Sequence, residues 1–419
     1  MFLKSYSFIK RQKSFTNLIT YGIGQAFNLV TPILVIPYII HVCGILNYGK
    51  AAFGMALTFF LIVFIDYGSD INGVKAIATN RDDPKALQKI FSETYAGKLA
   101  ILLLVVSAMA ALFLFVPYFK QDDLLYLLGL PILIGQFLNP TWFLQGTENF
   151  LQITILNIVS KGIYLAGIFL FITQPSDYVL INLWWGIGMI VANGISFLYI
   201  VNRYKFSFSQ ISVGAVAKNL HDGFPIFYSQ IFVSVQLYAP LILIGFFGSD
   251  LMAGMYRVVE QVVVIFKTYI LLFFNFMYPK VCYLIDRNAS EARRFWLVYN
   301  AGNFVFVLLS MILIYFFSEA VVAYFNPKDT EYLSGLLEVA VWIPALMALS
   351  IPMKQMLLAY NFNQFYVRAT IALVIANMVL IVLLLPRFQL YGVLFSLIVV
   401  EIVTACIFFL KIKNRLFLR

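Results

Sequence analysis

Several ionisable side chains lie within long apolar runs, where a charge is costly unless it faces a polar cavity or a partner. Arg257, Glu260, Gln261, Lys267, Thr268 and Asn275 are spaced so that, at ~100° per residue, a helix gathers them into an arc of about 120°. Val, Ile, Leu and Phe occupy the opposite face. Such a stripe can line a polar cavity running most of the membrane depth. Its plain alternative is an Arg257–Glu260 pair at i,i+3, with Lys267 reaching the inner interface. Lys161 shares a face with Asn157 and Tyr164 and lies near the middle of its run, too deep for snorkelling. It can bind an anionic group or pair with a carboxylate. Asp66 and Asp70 stand one turn apart, and Lys98 opens the next run. They can form a salt bridge at the inner mouth or a site for proton or cation coupling. Glu401, almost central in the last run, can carry a proton or hydrogen-bond a neighbour. Gln25 and Asn28 add uncharged hydrogen-bonding groups, on one side with Asn17, Tyr21 and Pro32.

Catalytic constellations are missing. The chain has no Gly-rich loop ending in Lys-Ser or Lys-Thr, no His-Glu-x-x-His pair and no Gly-x-Ser-x-Gly elbow. Two histidines (His41, His221) and three cysteines (Cys43, Cys282, Cys406) are too few and too scattered for a metal site or disulfide framework. No catalytic residue, resident metal or cofactor is expected. Uphill transport would have to draw on a proton or sodium gradient, or on downstream consumption of product.

The elements that must position these groups are membrane spans. Of 419 residues, 62% are apolar and 11% charged, and the mean hydropathy is +0.90. That excludes a soluble globule, a disordered chain and a disulfide scaffold. Spanning runs of ~20 residues recur with turn-rich breaks. Twelve helices are expected, at 17–41, 50–73, 95–116, 124–144, 153–173, 179–201, 223–247, 252–277, 296–317, 335–360, 364–385 and 390–410. The expected class is an all-α polytopic membrane protein of two six-helix lobes around a central cavity. Its parts are a cytoplasmic N-terminal segment (1–16), an N-lobe (17–201), a cytoplasmic linker (202–222), a C-lobe (223–410) and a cytoplasmic tail (411–419). The basic start reads as a retained segment, with an amphipathic helix on the membrane as one form it can take. A faint repeat supports the two halves: Gly24-Gln25 with the turn Gly44–Gly49, against Ser229-Gln230 with Gly248–Gly254.

The net charge of +10 is a membrane signature here rather than a nucleic-acid one. With the N-terminus inside, twenty Lys and Arg fall on inner segments and four (Lys50, Lys120, Lys328, Arg387) on outer loops. Both termini are therefore expected in the cytoplasm. Trp184 and Trp185, with Trp142 and Trp342, read as an interfacial belt rather than a sugar platform.

One stretch resembles a known family. Asn17-Leu-Ile-Thr-Tyr-Gly-Ile-Gly-Gln25 leads to Asn28, Pro32 and Pro37-Tyr-Ile-Ile. Gly44, Tyr48-Gly49, Ala51-Ala-Phe53, Ile65-Asp-Tyr-Gly68 and Ala76-Ile-Ala-Thr-Asn-Arg-Asp-Asp83 follow. This order is similar to the opening third of Wzx-type O-antigen flippases, in the multidrug/oligosaccharidyl-lipid/polysaccharide exporter superfamily. The likeness is most specific over residues 17–95 and topological beyond.

The resemblance implies movement of undecaprenyl-pyrophosphate-linked glycan across the bacterial inner membrane by alternating access, through a basic cavity. Lys161, Arg257 and Lys267, with Lys98 near the entrance, are the cationic positions the helical faces offer. Gln25, Asn28, Asn157 and Gln261 are the amide ones. Asp66, Asp70, Glu260 and Glu401 offset that charge. A polysaccharide polymerase and chain-length machinery are possible partners. Two other readings stand beside this one. An ion-coupled multidrug or small-molecule exporter of the same superfamily would use the carboxylates for coupling. A membrane polysaccharide polymerase fits poorly, because every outer loop is short.

Overall fold

The computed structural model describes the backbone of residues 2–208, 211–285, 287–325 and 329–417. The side chains of residues 1–21, 23, 25, 110, 113, 114, 289 and 414–417 lie outside the description. The side chain of Gln25 and those of the N-terminal segment are among them. No β-strand occurs among the described residues.

Among the described residues, ten helical stretches are long and apolar enough to cross a membrane. Two contain a break. Helix α1 (Phe2–Asp66) turns at Gly44, where φ is 80° and ψ 157°, a backbone state that the missing Cβ makes accessible. The last helix turns at Gln389, three residues after Pro386, which supplies no N–H to the ladder. Each broken rod therefore holds two crossings, and the twelve expected spans are present. The chain is an all-α, multi-pass membrane protein.

The remaining helices of the first half are α2 (Val74–Thr79), α3 (Pro84–Phe115), α4 (Asp123–Leu127), α5 (Leu130–Phe137), α6 (Thr141–Gly146), α7 (Phe150–Phe171), α8 (Leu180–Tyr204) and α9 (Val213–Phe247). The second half has α10 (Asp250–Ile285), α11 (Ala289–Phe316), α12 (Ser318–Ala323), α13 (Thr330–Ala340), α14 (Trp342–Ala359) and α15 (Asn363–Phe417).

Boundaries shift where caps outweigh hydropathy. Helix α3 starts at Pro84 rather than 95, because Asp83 Oδ1 accepts the N–H groups of Lys85 and Ala86 at 2.9 and 3.2 Å. The expected span 124–144 is three short helices, interrupted at Gly129 and at Leu138–Pro140. The span 335–360 divides between α13 and α14 at Val341.

The chain forms two compact units, residues 1–43 with 51–238 and residues 44–50 with 239–419. In the first, α5 and α7 both pack on α8. An aromatic core of Phe91, Tyr95, Trp142 and Phe143 lies beneath α2, α3 and α6. Trp142 is 3% exposed and stacked on Phe91, so it does not belong to an interfacial belt. In the second, α14 packs against α10, α11 and α15. Trp296 there donates its indole N–H to the Pro352 carbonyl at 3.2 Å. Trp342 is 52% exposed.

Candidate functional site

In the first unit the site is built on the α7–α8 pair. Gly188 of α8 lies against the Ser160 carbonyl of α7, in a space that a Cβ would overfill. This close approach, one residue before Lys161, brings Trp185 under the ammonium group. Lys161 Nζ stands 3.2 Å from the centroid of the Trp185 ring. Tyr164 and Phe59 pack on the same ring, with centroids 4.9 and 5.4 Å away. Lys161 is buried, and among the described residues no carboxylate comes within 4.0 Å of it. A desolvated ammonium over an indole gains about 2 kcal/mol, which only partly offsets the cost of burying the charge.

The ammonium opens on a cavity of about 230 Å³ lined also by Asn139, Thr141, Asn157, Asn193 and Tyr238. Asn193 donates to the Gly135 carbonyl at 2.8 Å, which fixes its amide. One cation, several amide and hydroxyl groups and aromatic walls can hold an anionic oxygen beside sugar hydroxyls.

A polar chain leads from this cavity to a larger one. Asn139 donates to Gln136 at 3.4 Å, and Gln136 donates to Asp66 Oδ2 at 2.7 Å. Lys98 Nζ is 3.0 Å from Asp66 Oδ1. Asp66 and Lys98 line the second cavity, about 630 Å³, with Asn72, Lys75, Lys89 and Asn219 among its walls. Lys98 is only 2% exposed, so Asp66 neutralises a buried charge. Asp70 is tied elsewhere: Gln230 of α9 donates to its Oδ2 at 3.0 Å.

In the second unit, α10 carries the charged stripe. Arg257 Nη1 bonds Glu260 Oε2 at 2.6 Å and also meets the Tyr48 hydroxyl. Its charge is therefore shared at i,i+3 rather than offered alone. Lys267 is half-buried, with Glu401, Glu260 and Lys354 as its charged neighbours. Glu401 accepts a hydrogen bond from Ser350 of α14 at 2.7 Å. Gln261 is 2% exposed.

The structure thus brings Lys161 and Asn157 to one cavity, Asp66 and Lys98 to another, and Arg257, Glu260, Lys267 and Glu401 to the second unit. Asn28 is half-buried on α1. Trp185, Asn193, Tyr48 and Ser350 were not singled out as site residues from sequence. Trp185 carried a signal, an aromatic one turn from Gly188 on a helix with several small residues, but its adjacency to another tryptophan favoured the belt reading.

Comparison with known proteins places this architecture. Residues 14–281 match the model of the family described as "Polysaccharide biosynthesis protein". A protein of Escherichia coli (strain K12) named "Putative O-antigen transporter" is 24% identical over 246 residues. One of Shigella dysenteriae with the same name is 25% identical over 248 residues. These matches cover 59% and 58% of this chain, and the chain spans only 59% and 61% of those relatives' lengths. Among solved structures, an inward-facing multidrug resistance MATE family transporter of the MOP superfamily superposes with a TM-score of 0.73 at 15% identity, covering 94% of both chains. The lipid II flippase MurJ, in an inward closed conformation, superposes equally well at 15% identity, covering 94% of this chain and 87% of its own. The chain is a member of the polysaccharide biosynthesis protein family, a multi-pass membrane protein with the fold those two transporters share.

Proposed function

We propose that the protein is a flippase, not an enzyme, that moves an undecaprenyl-pyrophosphate-linked oligosaccharide from the cytoplasmic to the periplasmic leaflet of the bacterial inner membrane. Alternating access is the proposed cycle. The family, the names of its relatives and the fold shared with a lipid II flippase support this reading. The observation that carries it is the buried Lys161, which has a ring but no carboxylate for a partner, in a cavity walled by amides and aromatics. Sugar hydroxyls stripped of water cost free energy unless hydrogen bonds replace it, and a pyrophosphate needs a cation. Lys161 with Asn139, Asn157 and Asn193 supplies both, while the polyprenyl tail stays in lipid. The Lys and Arg bias supports cytoplasmic termini, and with them a cytoplasmic position for the Asp66–Lys98 cavity. A polysaccharide polymerase and chain-length machinery are the partners such a step would feed.

The test is complementation of a strain lacking its O-antigen flippase. Restoration of surface glycan by the wild-type chain and failure by Lys161→Met supports the reading. No restoration, in a host whose repeat unit matches that of the source organism, contradicts it. A second reading, an ion-coupled exporter of small molecules, is favoured by the MATE fold and by the carboxylates Asp66 and Glu401. Resistance of a sensitised host to cationic drugs would support that one instead.

A further inference from the structure

An exposed side of α7 and α8 carries a trough that the transport reading does not use. Its upper part, about 380 Å³, is apolar and runs along both helices from Leu151 and Ile155 to Val159 on α7, facing Ala192 and Ile195 on α8. Leu151, Ile155 and Ile195 are 61%, 51% and 63% exposed. At ~1.5 Å per residue, the stretch from residue 149 to residue 159 is about 15 Å long, half the hydrocarbon thickness of a bilayer.

The trough opens at one end into a polar pocket of about 360 Å³. Asn149, Leu151, Gln152 and Tyr199 line both spaces, so the two are continuous. Arg203, in the last turn of α8, stands in this mouth. One guanidinium N–H goes to the Tyr199 hydroxyl at 2.8 Å, and among the described residues no carboxylate comes within 4.0 Å. Glu148 lies in the same pocket, but its carboxylate pairs with Arg81 at 3.3 Å. The mouth therefore holds one uncompensated cation beside two amides.

We propose that this trough is a binding site for a single-chain polyisoprenyl phosphate, with the phosphate at Arg203, Asn149 and Gln152 and the chain along α7 and α8. Charge complementarity selects a lipid over a protein helix, because an apolar helix has no use for a cationic mouth. One trough leading from one mouth suits a single chain rather than the paired tails of a phospholipid. Arginine forks and amide groups fit phosphate oxygens. Leu156 lines both the trough and the Lys161 cavity, so one buried side chain separates the lipid face from the polar interior. The proposal rests on the flippase reading for its choice of lipid, and it places that lipid's phosphate at Arg203, apart from the Lys161 cavity.

The experiment is photolabelling of the full-length protein in nanodiscs with a diazirine-bearing undecaprenyl phosphate, mapped by peptide mass spectrometry. Labels within residues 149–159 and 192–203, reduced at least fivefold by Arg203→Ala and by Ile195→Trp, are expected. Excess undecaprenyl phosphate should compete, and an equal excess of phosphatidylglycerol should not. Ile195 faces lipid, so its enlargement leaves folding intact, and a thermal melt of each variant checks this. Labels outside the trough, or equal competition by phosphatidylglycerol, overturn the proposal. Labelling is read without transport: trough labels in a chain that fails complementation would remove the flippase reading alone, whereas complementation without trough labels would remove the trough alone.

Discussion

Lys161 and Trp185 form a buried cation–ring pair, Nζ 3.2 Å from the ring centroid, on two helices held together at Gly188 and Ser160. A pair of this kind is worth about 2 kcal/mol when water is excluded. Trp185→Leu should therefore lower stability by that order, whereas Trp185→Phe should retain part of it. A double-mutant cycle with Lys161→Met, read by thermal denaturation in detergent, should show a coupling of about 1–2 kcal/mol. Additive effects would mean that the two side chains do not interact.

The Asp66–Lys98 bridge makes a different prediction. Asp66→Ala leaves the Lys98 ammonium buried without a counter-charge, a loss on the order of 3 kcal/mol. Asp66 keeps 21% of its side chain exposed, which lowers the figure somewhat. The double variant Asp66→Leu/Lys98→Met removes both charges and should recover most of the lost stability. Fluorescence-detected melting of the four proteins is the measurement. A double variant no better than Asp66→Ala would show that the bridge is not the stabilising element.

On α10, Glu260→Ala deprives Arg257 of the carboxylate 2.6 Å away while Tyr48 still meets it. The side chains are 27% and 14% exposed, so the cost should be roughly 1–3 kcal/mol rather than that of a fully buried pair. Arg257→Leu/Glu260→Leu should fold as well as the wild type. Yield and melting temperature in detergent report both. A Glu260→Ala protein as stable as the wild type would contradict the pairing.

Gly188→Ala tests how the Lys161 site is built. The new methyl group meets the Ser160 backbone, which cannot move aside as a side chain would. Overpacking of this kind costs about 1–3 kcal/mol. The helices should separate and draw Trp185 away from Lys161, which intrinsic tryptophan fluorescence would register. A variant with wild-type stability and fluorescence would exclude a tight α7–α8 contact at this point.

Much of this was legible from residue types alone. Runs of Leu, Ile, Val and Phe fix twelve crossings because a bilayer admits few other backbone solutions. The Asp66–Lys98 and Arg257–Glu260 contacts are among the alternatives that paired opposite charges in apolar runs offer. The cap at Asp83 carries a recognisable residue, yet hydropathy obscured it. Trp185 was harder to read: its neighbour Trp184 packs on Phe171, and helical phase alone does not tell which of two adjacent indoles turns inward. The association of Asn139, Asn157 and Asn193 depends on how the α5–α6 link, α7 and α8 pack, and spacing within one helix carries no such information. Trp142 is a core residue rather than a belt residue because its aromatic partners Phe91 and Tyr95 lie about 50 residues away in sequence.

The account turns on Lys161 as a charge kept for a ligand rather than for the fold. Removing a buried cation that no carboxylate neutralises relieves more desolvation than the ring contact returns, so Lys161→Met should melt at or above the wild-type temperature. Binding of an undecaprenyl-pyrophosphate-linked oligosaccharide to both proteins in nanodiscs is the direct measurement. The variant should bind at least tenfold more weakly, about 1.4 kcal/mol, while remaining folded. Equal affinity in a folded Lys161→Met protein would contradict the assignment of this cavity to the headgroup.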